Sequence, residues 1–314
     1  MTSTSYSPNQ ELFDAIEAVL PRVQRMEELG LDDHFYTSTL LTKFTFPHSP
    51  RSADKRELAL VNGDLEVVMY SPKGLPYGHY PRLFLLWLTR ECARRHAVLP
   101  LDEARVIPLG DSLNDFLKQV GIVPKSGRAS STTYKAVRGQ LERLFCTTIS
   151  TSWRCSGDDE APEYASWENM TVTSKGFLWW DADKNDELNW GESYIELSRE
   201  FFTSVAEHTF PLDVTHVIEL RRSPMALDLY TWLAQRLHDH RGVTRVKWEQ
   251  LRGQLGSGYP LTGQGMRDFK KSVRTAMAAV KQAWPEAGVS EYAGGVMLTG
   301  SVTPIKRKHE DWVA

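Results

Sequence analysis

The chain has 314 residues, 41% of them hydrophobic and 11% aromatic, which is long enough for two domains with extensions and apolar enough to bury a core. Its three cysteines (Cys92, Cys146, Cys155) lack CxxC spacing and an even count, and its longest strongly apolar run is Leu83 to Leu88; a disulfide framework, a zinc site and a membrane span are therefore not expected. The formal net charge of -3 argues against a uniformly basic protein, and the polar, uncharged residues 1–10 offer no export segment, so a reducing cytoplasm is the expected compartment.

Glu11 to Leu31 places Leu12, Ile16, Val19, Leu20, Val23 and Met26 near helical period and reads as an amphipathic helix. Residues 44–56 are rich in Pro, Ser and charge and read as a connector closing an N-terminal extension over 1–56. Asn62-Gly63 between two β-prone runs predicts a hairpin over 58–70. A buried helix is expected from Pro81 in its first position, then a short helix capped by Asp111 or Ser112 and ended by Gly121, then a third helix from Tyr134 to Phe145. β-prone segments follow up to about Ser198.

The second half repeats this order. Ser223-Pro224 caps a helix with apolar residues at 226, 230, 233 and 237; a short helix ends at Gly256; a long helix runs from Met266 to Trp284 and stops at Pro285. A hairpin turning at Gly294-Gly295 closes the series. Three helices followed by a strand ribbon, twice, predict an α+β chain of two tandem winged-helix domains over 57–208 and 209–305, with an acidic β-rich insert in the first and a basic, polar tail over 306–314.

The third helices can be compared position by position. Tyr134, Val137, Leu141, Leu144 and Phe145 form one apolar stripe, and adding 132 gives Met266, Phe269, Val273, Ala276 and Met277. The same offset pairs Lys135 with Arg267 and Arg138 with Lys270 on the opposite face. Arg143, Lys271, Arg274 and Lys281 add charge to the helices, and Lys125 and Arg128 precede the first. Two cationic helices in register suit two major grooves, with Ser131 and Thr132 supplying phosphate contacts at the helix start and Gly139 leaving room for close approach. The net charge does not contradict this. Eleven acidic residues from Asp158 to Glu196 face only Lys175 and Lys184, so the rest of the chain is basic, and salt confines each field to roughly 10 Å.

The segments PYGHYPRLFLLWLTREC, IPLGDSLNDFLKQVGI, YKAVRGQLERLFCTTIS, FLWWD, YIELSREFF, RRSPMALDLYTWLAQR and RDFKKSVRTAMAAVKQAWPEAGV resemble the plasmid-encoded RepA replication initiators, over about residues 60–300. The resemblance implies a protein built of tandem winged helices that binds repeated double-stranded sites at a plasmid origin, opens the duplex, and works with the host replicative helicase and the host initiator protein. A homodimer is one option for the binding form. A repressor without an initiator role, and a DNA-nicking enzyme, are the rival readings.

Other motifs point to ordinary structure. His238-Asp239-His240 has the spacing of a nickase metal pair but ends a helix, and His238-x-x-Arg241 resembles a recombinase fragment whose further Arg and nucleophilic Tyr the sequence does not place. Asp181, Asp183, Asn185, Asn189 and Glu192 match an EF-hand loop except at Asp186, where glycine is required, and their flanks look like strands. No phosphate-cradling GxxxxGK[ST] loop occurs, so no nucleotide cofactor is expected. Trp153, Trp167 and Trp179-Trp180 are expected to fill the core between strands, with stacking on single-stranded bases as the alternative.

Overall fold

The computed structural model describes residues 34–300 except 53–54, 63, 110–112, 156–163, 179, 182–186, 189–192, 239, 241 and 257. The expected N-terminal helix over 11–31, the cap at Asp111 or Ser112, most of the EF-hand-like loop and the tail lie outside the described residues.

The first strand, β1 (His34–Ser38), pairs antiparallel with β11 (Thr209–Asp213). Residues 44–47 are buried, with Phe44 and Phe46 in the core. The connector reading of 44–56 is therefore corrected for its first part: alternating aromatics insert into the interior although Pro47, Ser49 and Pro50 look like loop chemistry. The hairpin β2 (Glu57–Asn62) and β3 (Leu65–Tyr70) forms as expected, with Asn62 opposite Leu65. Period-two alternation sends Leu58, Leu60, Leu65, Val67 and Met69 inward.

The helix α1 (His79–His96) starts two residues before Pro81, from Gly78 at φ 76°. It is buried over most of its length and ends in the cations Arg94, Arg95 and His96, which suit the negative end of the helix dipole. Then come α2 (Leu101–Ala104), β4 (Val106–Pro108), α3 (Leu113–Gln119), ended by Gly121 at φ 69°, and α4 (Ser131–Phe145). Ser130 caps α4, accepting the Thr133 N–H at 3.2 Å.

The strands that follow serve two sheets. β5 (Thr148–Cys155) and β6 (Tyr164–Thr171) join the hairpin in a sheet of order β2-β3-β5-β6. β7 (Thr173–Phe177) and β10 (Tyr194–Leu197) join β4 in a sheet of order β4-β10-β7, while β8 (Trp180–Asp181) pairs with β9 (Glu187–Leu188) between them. The expected flanks of the acidic loop are strands at Trp180, in β8, and at Tyr194 to Leu197, which form β10. Two short helices, α5 (Arg199–Ala206) and α6 (Val214–Leu220), bracket β11.

The second half contains α7 (Pro224–Leu237), β12 (Val243–Lys247), α8 (Trp248–Leu255), α9 (Gly263–Ala283), β13 (Val289–Tyr292) and β14 (Gly295–Thr299). Ser223 caps α7 with Pro224 in its first turn, and Gly256 follows α8, both as expected. α9 starts three residues before Met266 because Thr262 accepts the Gly265 N–H at 3.0 Å and Gly265 lies against the Pro260 carbonyl, where a side chain would clash. Tyr292 pairs with Gly295, so the last hairpin turns on Ala293-Gly294, one residue before the expected pair.

The sheet in this half has the order β12-β14-β13. In both halves, therefore, the strand before the short helix pairs with the last strand, which pairs with the middle one. The sequence order of three helices misses β4 and β12, because three residues ending in proline and a mostly exposed strand give no readable period.

One hydrophobic cluster runs through both halves, from Phe35 to Leu298. α8 packs so closely on the hairpin that a Cβ at Gly253 would lie 2.9 Å from the Val61 carbonyl oxygen. A buried ion pair also links the halves: Arg82 of α1 grips Asp228 of α7 through Nε–Oδ1 at 2.6 Å and Nη2–Oδ2 at 2.7 Å. Arg82 further donates to the Gly78 and Phe46 carbonyls at 2.6 Å each, and His48 Nε2 lies 2.9 Å from Asp228 Oδ2. Burial works to raise the Asp228 carboxyl, yet the Arg82 charge and the hydrogen bonds from His48 and Arg82 outweigh it and hold the group below the usual carboxylate range.

Candidate nucleic-acid interface

The two third helices bury the faces their periodicity predicts. Tyr134, Val137, Leu141, Leu144 and Phe145 are buried in α4, as are Phe269, Val273, Ala276 and Met277 in α9, with Met266 half-buried. The offset of 132 residues thus holds for packing as well as for sequence. A side chain at Gly139 would meet nothing within 4 Å, so the outer side of α4 is open there.

The structure sorts the candidate cations into three groups. Lys125, Arg128, Lys135, Arg267, Lys271 and Lys281 are exposed, as are Ser131 and Thr132 in the first turn of α4. Arg267 is steadied by Gln264, whose Oε1 accepts from its Nε and Nη2 at 3.0 and 2.7 Å.

In a second group the carboxylate or ring that holds each cation is identified. Arg138 pairs with Glu142 at 3.0 Å, one helical turn on. Arg274 pairs with Glu291 of β13 through Nη2 at 2.7 Å and Nε at 2.9 Å. This hydrogen bond is the main reason the Arg274 pKa is raised and the Glu291 carboxyl lowered, with the Lys270 charge adding to the latter. Lys270 and Arg274 also lie over the ring of buried Trp248, 5.5 and 5.7 Å from its centroid. Such solvent-facing pairs are weak and can be exchanged for phosphate, but they set a cost on using Arg138 and Arg274.

Arg143 stands apart. It turns to the loop beside α4, donates to the Leu75 carbonyl at 3.4 Å and lies over the Tyr77 ring at 5.5 Å. Gly74, at φ 87°, leaves the room its guanidinium occupies. Arg143 is thus half-buried and turned toward the 74–77 loop, away from the other cations of α4. Along the same loop Gln140 accepts the Tyr77 N–H at 2.7 Å.

Trp153 and Trp167 depart from expectation, while Trp179 and the Trp180 side chain lie outside the described residues. Trp167 is 74% exposed and Trp153 42%, so neither fills the core between strands. Pairing explains it: Ser152 opposite Trp167 puts that ring on the outer face of the four-stranded sheet, while Trp153, opposite Ser166 and Leu65, sits at the sheet end under the Lys43 ammonium at 5.3 Å. Nor did the sequence reveal the buried arginines of α1. Arg90 and Arg95 join Arg82 inside, where Arg95 Nε donates to the Ala104 carbonyl at 3.0 Å and Arg90 lies over the Phe35 ring at 5.7 Å. Arginines on a helix apolar nearly all round are the signal that could have found them.

His238 ends α7 and lines a cavity with His208 and His240. Among the described residues no group of three or more His, Cys, Asp or Glu side chains could hold a metal ion, and no helix is long and apolar enough to cross a membrane.

No curated protein matches the chain. Among solved structures, the crystal structure of domains 2 and 3 of RctB is similar at a TM-score of 0.53 and 13% identity, covering 86% of this chain and 97% of that one. A second crystal structure of RctB domains 2–3 covers 82% and 93%, with a TM-score of 0.47 and 12% identity. At this identity the first likeness concerns the fold alone. The model of the family described as plasmid encoded RepA protein matches residues 75–250, more than half of the sequence, and the chain belongs to that family.

Proposed function

We propose that this RepA-family chain is a plasmid replication initiator that binds repeated double-stranded DNA sites at the origin through α4 and α9, opens the duplex beside them and engages the host helicase and host initiator. The observation that carries the reading is the pair of helices 132 residues apart that bury the same stripe and turn cations outward. In this reading each half is a winged helix. The first comprises α1, β4, α3, α4, β7 and β10 with β5–β6 as an insert; the second comprises α7, β12, α8, α9, β13 and β14. α4 and α9 enter major grooves, and the β13–β14 hairpin lies beside the second.

Arg267, Lys271 and Lys281 supply the contacts from α9, with Lys270 and Arg274 steadied on Trp248. Lys125, Arg128, Lys135, Ser131 and Thr132 supply those from the start of α4. Reading two successive grooves multiplies specificity, and no catalytic step is assigned to the chain.

The test is binding to direct repeats from the plasmid's own origin against scrambled duplex, across a salt series. With six to ten phosphates contacted, affinity should fall about 10³ to 10⁵-fold between 50 and 200 mM salt. A flat salt response, or equal affinity for both duplexes, overturns the reading. Metal-dependent nicking of supercoiled DNA would replace it with an enzyme.

A further inference from the structure

Arg221, Arg222 and Ser223 carry the chain from α6 into α7. α6 packs on α9, and Ser223 lines a groove with Asp268, Lys271, Ser272 and Thr275 of α9. On the other side, the Arg222 charge acts on both His79 and Tyr80, whose rings lie 4.1 Å apart. The Tyr80 hydroxyl and the Thr133 side chain, in the first turn of α4, share a hydrogen bond. The turn therefore stands between the two candidate helices, meeting α9 through Ser223 and α4 through Tyr80.

Its two arginines go different ways. Arg221 turns inward: Nη1 donates to the Ile218 carbonyl, and a Cβ added at Gly121, the stop of α3, would lie 3.4 Å from Arg221 Cδ. Arg222 is exposed. The field beside it is positive, because burial first, then the charges of Arg82 and Arg222, push the His79 imidazole below its ordinary pKa. Asp268, the carboxylate of the groove toward α9, accepts from Gln264 Nε2 at 2.8 Å.

A duplex that takes α4 and α9 into successive major grooves turns the minor groove between them toward the protein. The sugar-phosphate strands that border this minor groove then pass the Arg221 to Ser223 turn. We infer that Arg222 binds a backbone phosphate of the intervening minor groove and so fixes the spacing of the two helices on the DNA. This inference rests on the proposed α4–α9 interface and adds a contact that belongs to neither helix. The planar fork of an arginine suits a phosphate, to which it donates two parallel hydrogen bonds. A phosphate carries no sequence information, so the contribution is the same on every duplex.

The experiment uses the full chain. Arg222→Ala, at an exposed position between helices, should leave thermal unfolding unchanged and weaken binding several-fold at low salt, by the same factor on origin repeats and on scrambled duplex. It should take about 0.9 off the log–log salt slope, so that the deficit narrows about threefold between 50 and 200 mM salt. Arg222→Lys should keep the parent's slope. A methylphosphonate scan of the minor-groove phosphates should find a position at which removing the charge weakens the parent several-fold and the Arg222→Ala protein not at all. Unchanged affinity and slope in Arg222→Ala, or no such position in the scan, overturns the inference, and a loss confined to the origin repeats replaces the phosphate with a base. Arg267→Ala/Lys271→Ala separates the failures. If that pair weakens binding and Arg222→Ala does not, the bridge alone falls; if neither does, the α4–α9 interface falls and takes the bridge with it. A loss from Arg222→Ala alone also overturns a contact that needs α9 in the groove.

Discussion

After α4 the chain makes a 27-residue excursion before reaching β7, whereas after α9 it passes into β13 within five residues, although both routes end in a sheet of the same strand order. The excursion is not idle length. β5 and β6 extend the β2–β3 hairpin into a four-stranded sheet, and α8 of the second half rests on β2 at Gly253. The first half is elaborated into a seat for the second, and the second keeps the bare plan. Cationic content follows the same division: α9 carries Arg267, Lys270, Lys271, Arg274 and Lys281, while α4 keeps Lys135 outward, pairs Arg138 with Glu142 and turns Arg143 aside.

The largest effect should come from breaking the bond between the halves. Asp228→Ala leaves Arg82 charged and buried, and should cost about 3 to 5 kcal/mol in denaturant unfolding. Acid tests the same link. Because the Asp228 carboxyl is held below its ordinary value of 3.8, its contribution is complete above that pH and is lost as the pH falls through the lower, folded value. The Asp228→Ala protein should therefore lose less stability than the parent between pH 4 and pH 2, roughly the window of a depressed carboxylate. Equal losses would remove the ion pair as the link.

The seat comes next. Gly253→Val forces side-chain atoms against the Val61 carbonyl and should cost about 1 to 3 kcal/mol, whereas the same substitution at open Gly139, where valine replaces a poorer helix former, should be neutral or stabilising by less than about 1 kcal/mol. Similar losses at the two sites would mean that α8 does not press on the hairpin.

On DNA the halves should differ in the same direction as their charge. Arg267→Ala should cost about 1 to 3 kcal/mol with relaxed specificity at one base pair if it reads a guanine, and Lys135→Ala should cost less and equally on all sequences if it touches phosphate. The reverse ranking would make α4 the principal reader. The smallest change should be a gain: Glu291→Gln removes a negative charge and releases Arg274, so affinity should rise a few-fold at low salt and the gain should fade as salt is added. Unchanged affinity would place β13 away from the duplex.

Much of this plan is legible in the residues, and the unread parts have identifiable causes. The cap at Ser223 and the stops at Gly121 and Gly256 are local chemistry, and the apolar stripes of α4 and α9 are periodic over three or more turns, so they survive any tertiary context. β1, β4, β11 and β12 are five residues or fewer, too short for a period, and exist because a partner strand completes them. Phe44 and Phe46 look like part of a connector because proline and serine follow them; burial was decided by the space beside α1.

What the sequence determined by itself is therefore the repeated helical scaffold and the sign of charge on its outer faces, since both follow from hydrogen bonds and periodicities within a few turns. Only the tertiary structure decided which cations stay outward, which are held by Glu142, Glu291 or the 74–77 loop, and that Arg82 and Asp228 meet inside. Those outcomes depend on pairings between residues far apart in the chain or on the surroundings of a helix face, and an interaction of that kind leaves no mark on the local pattern of either partner.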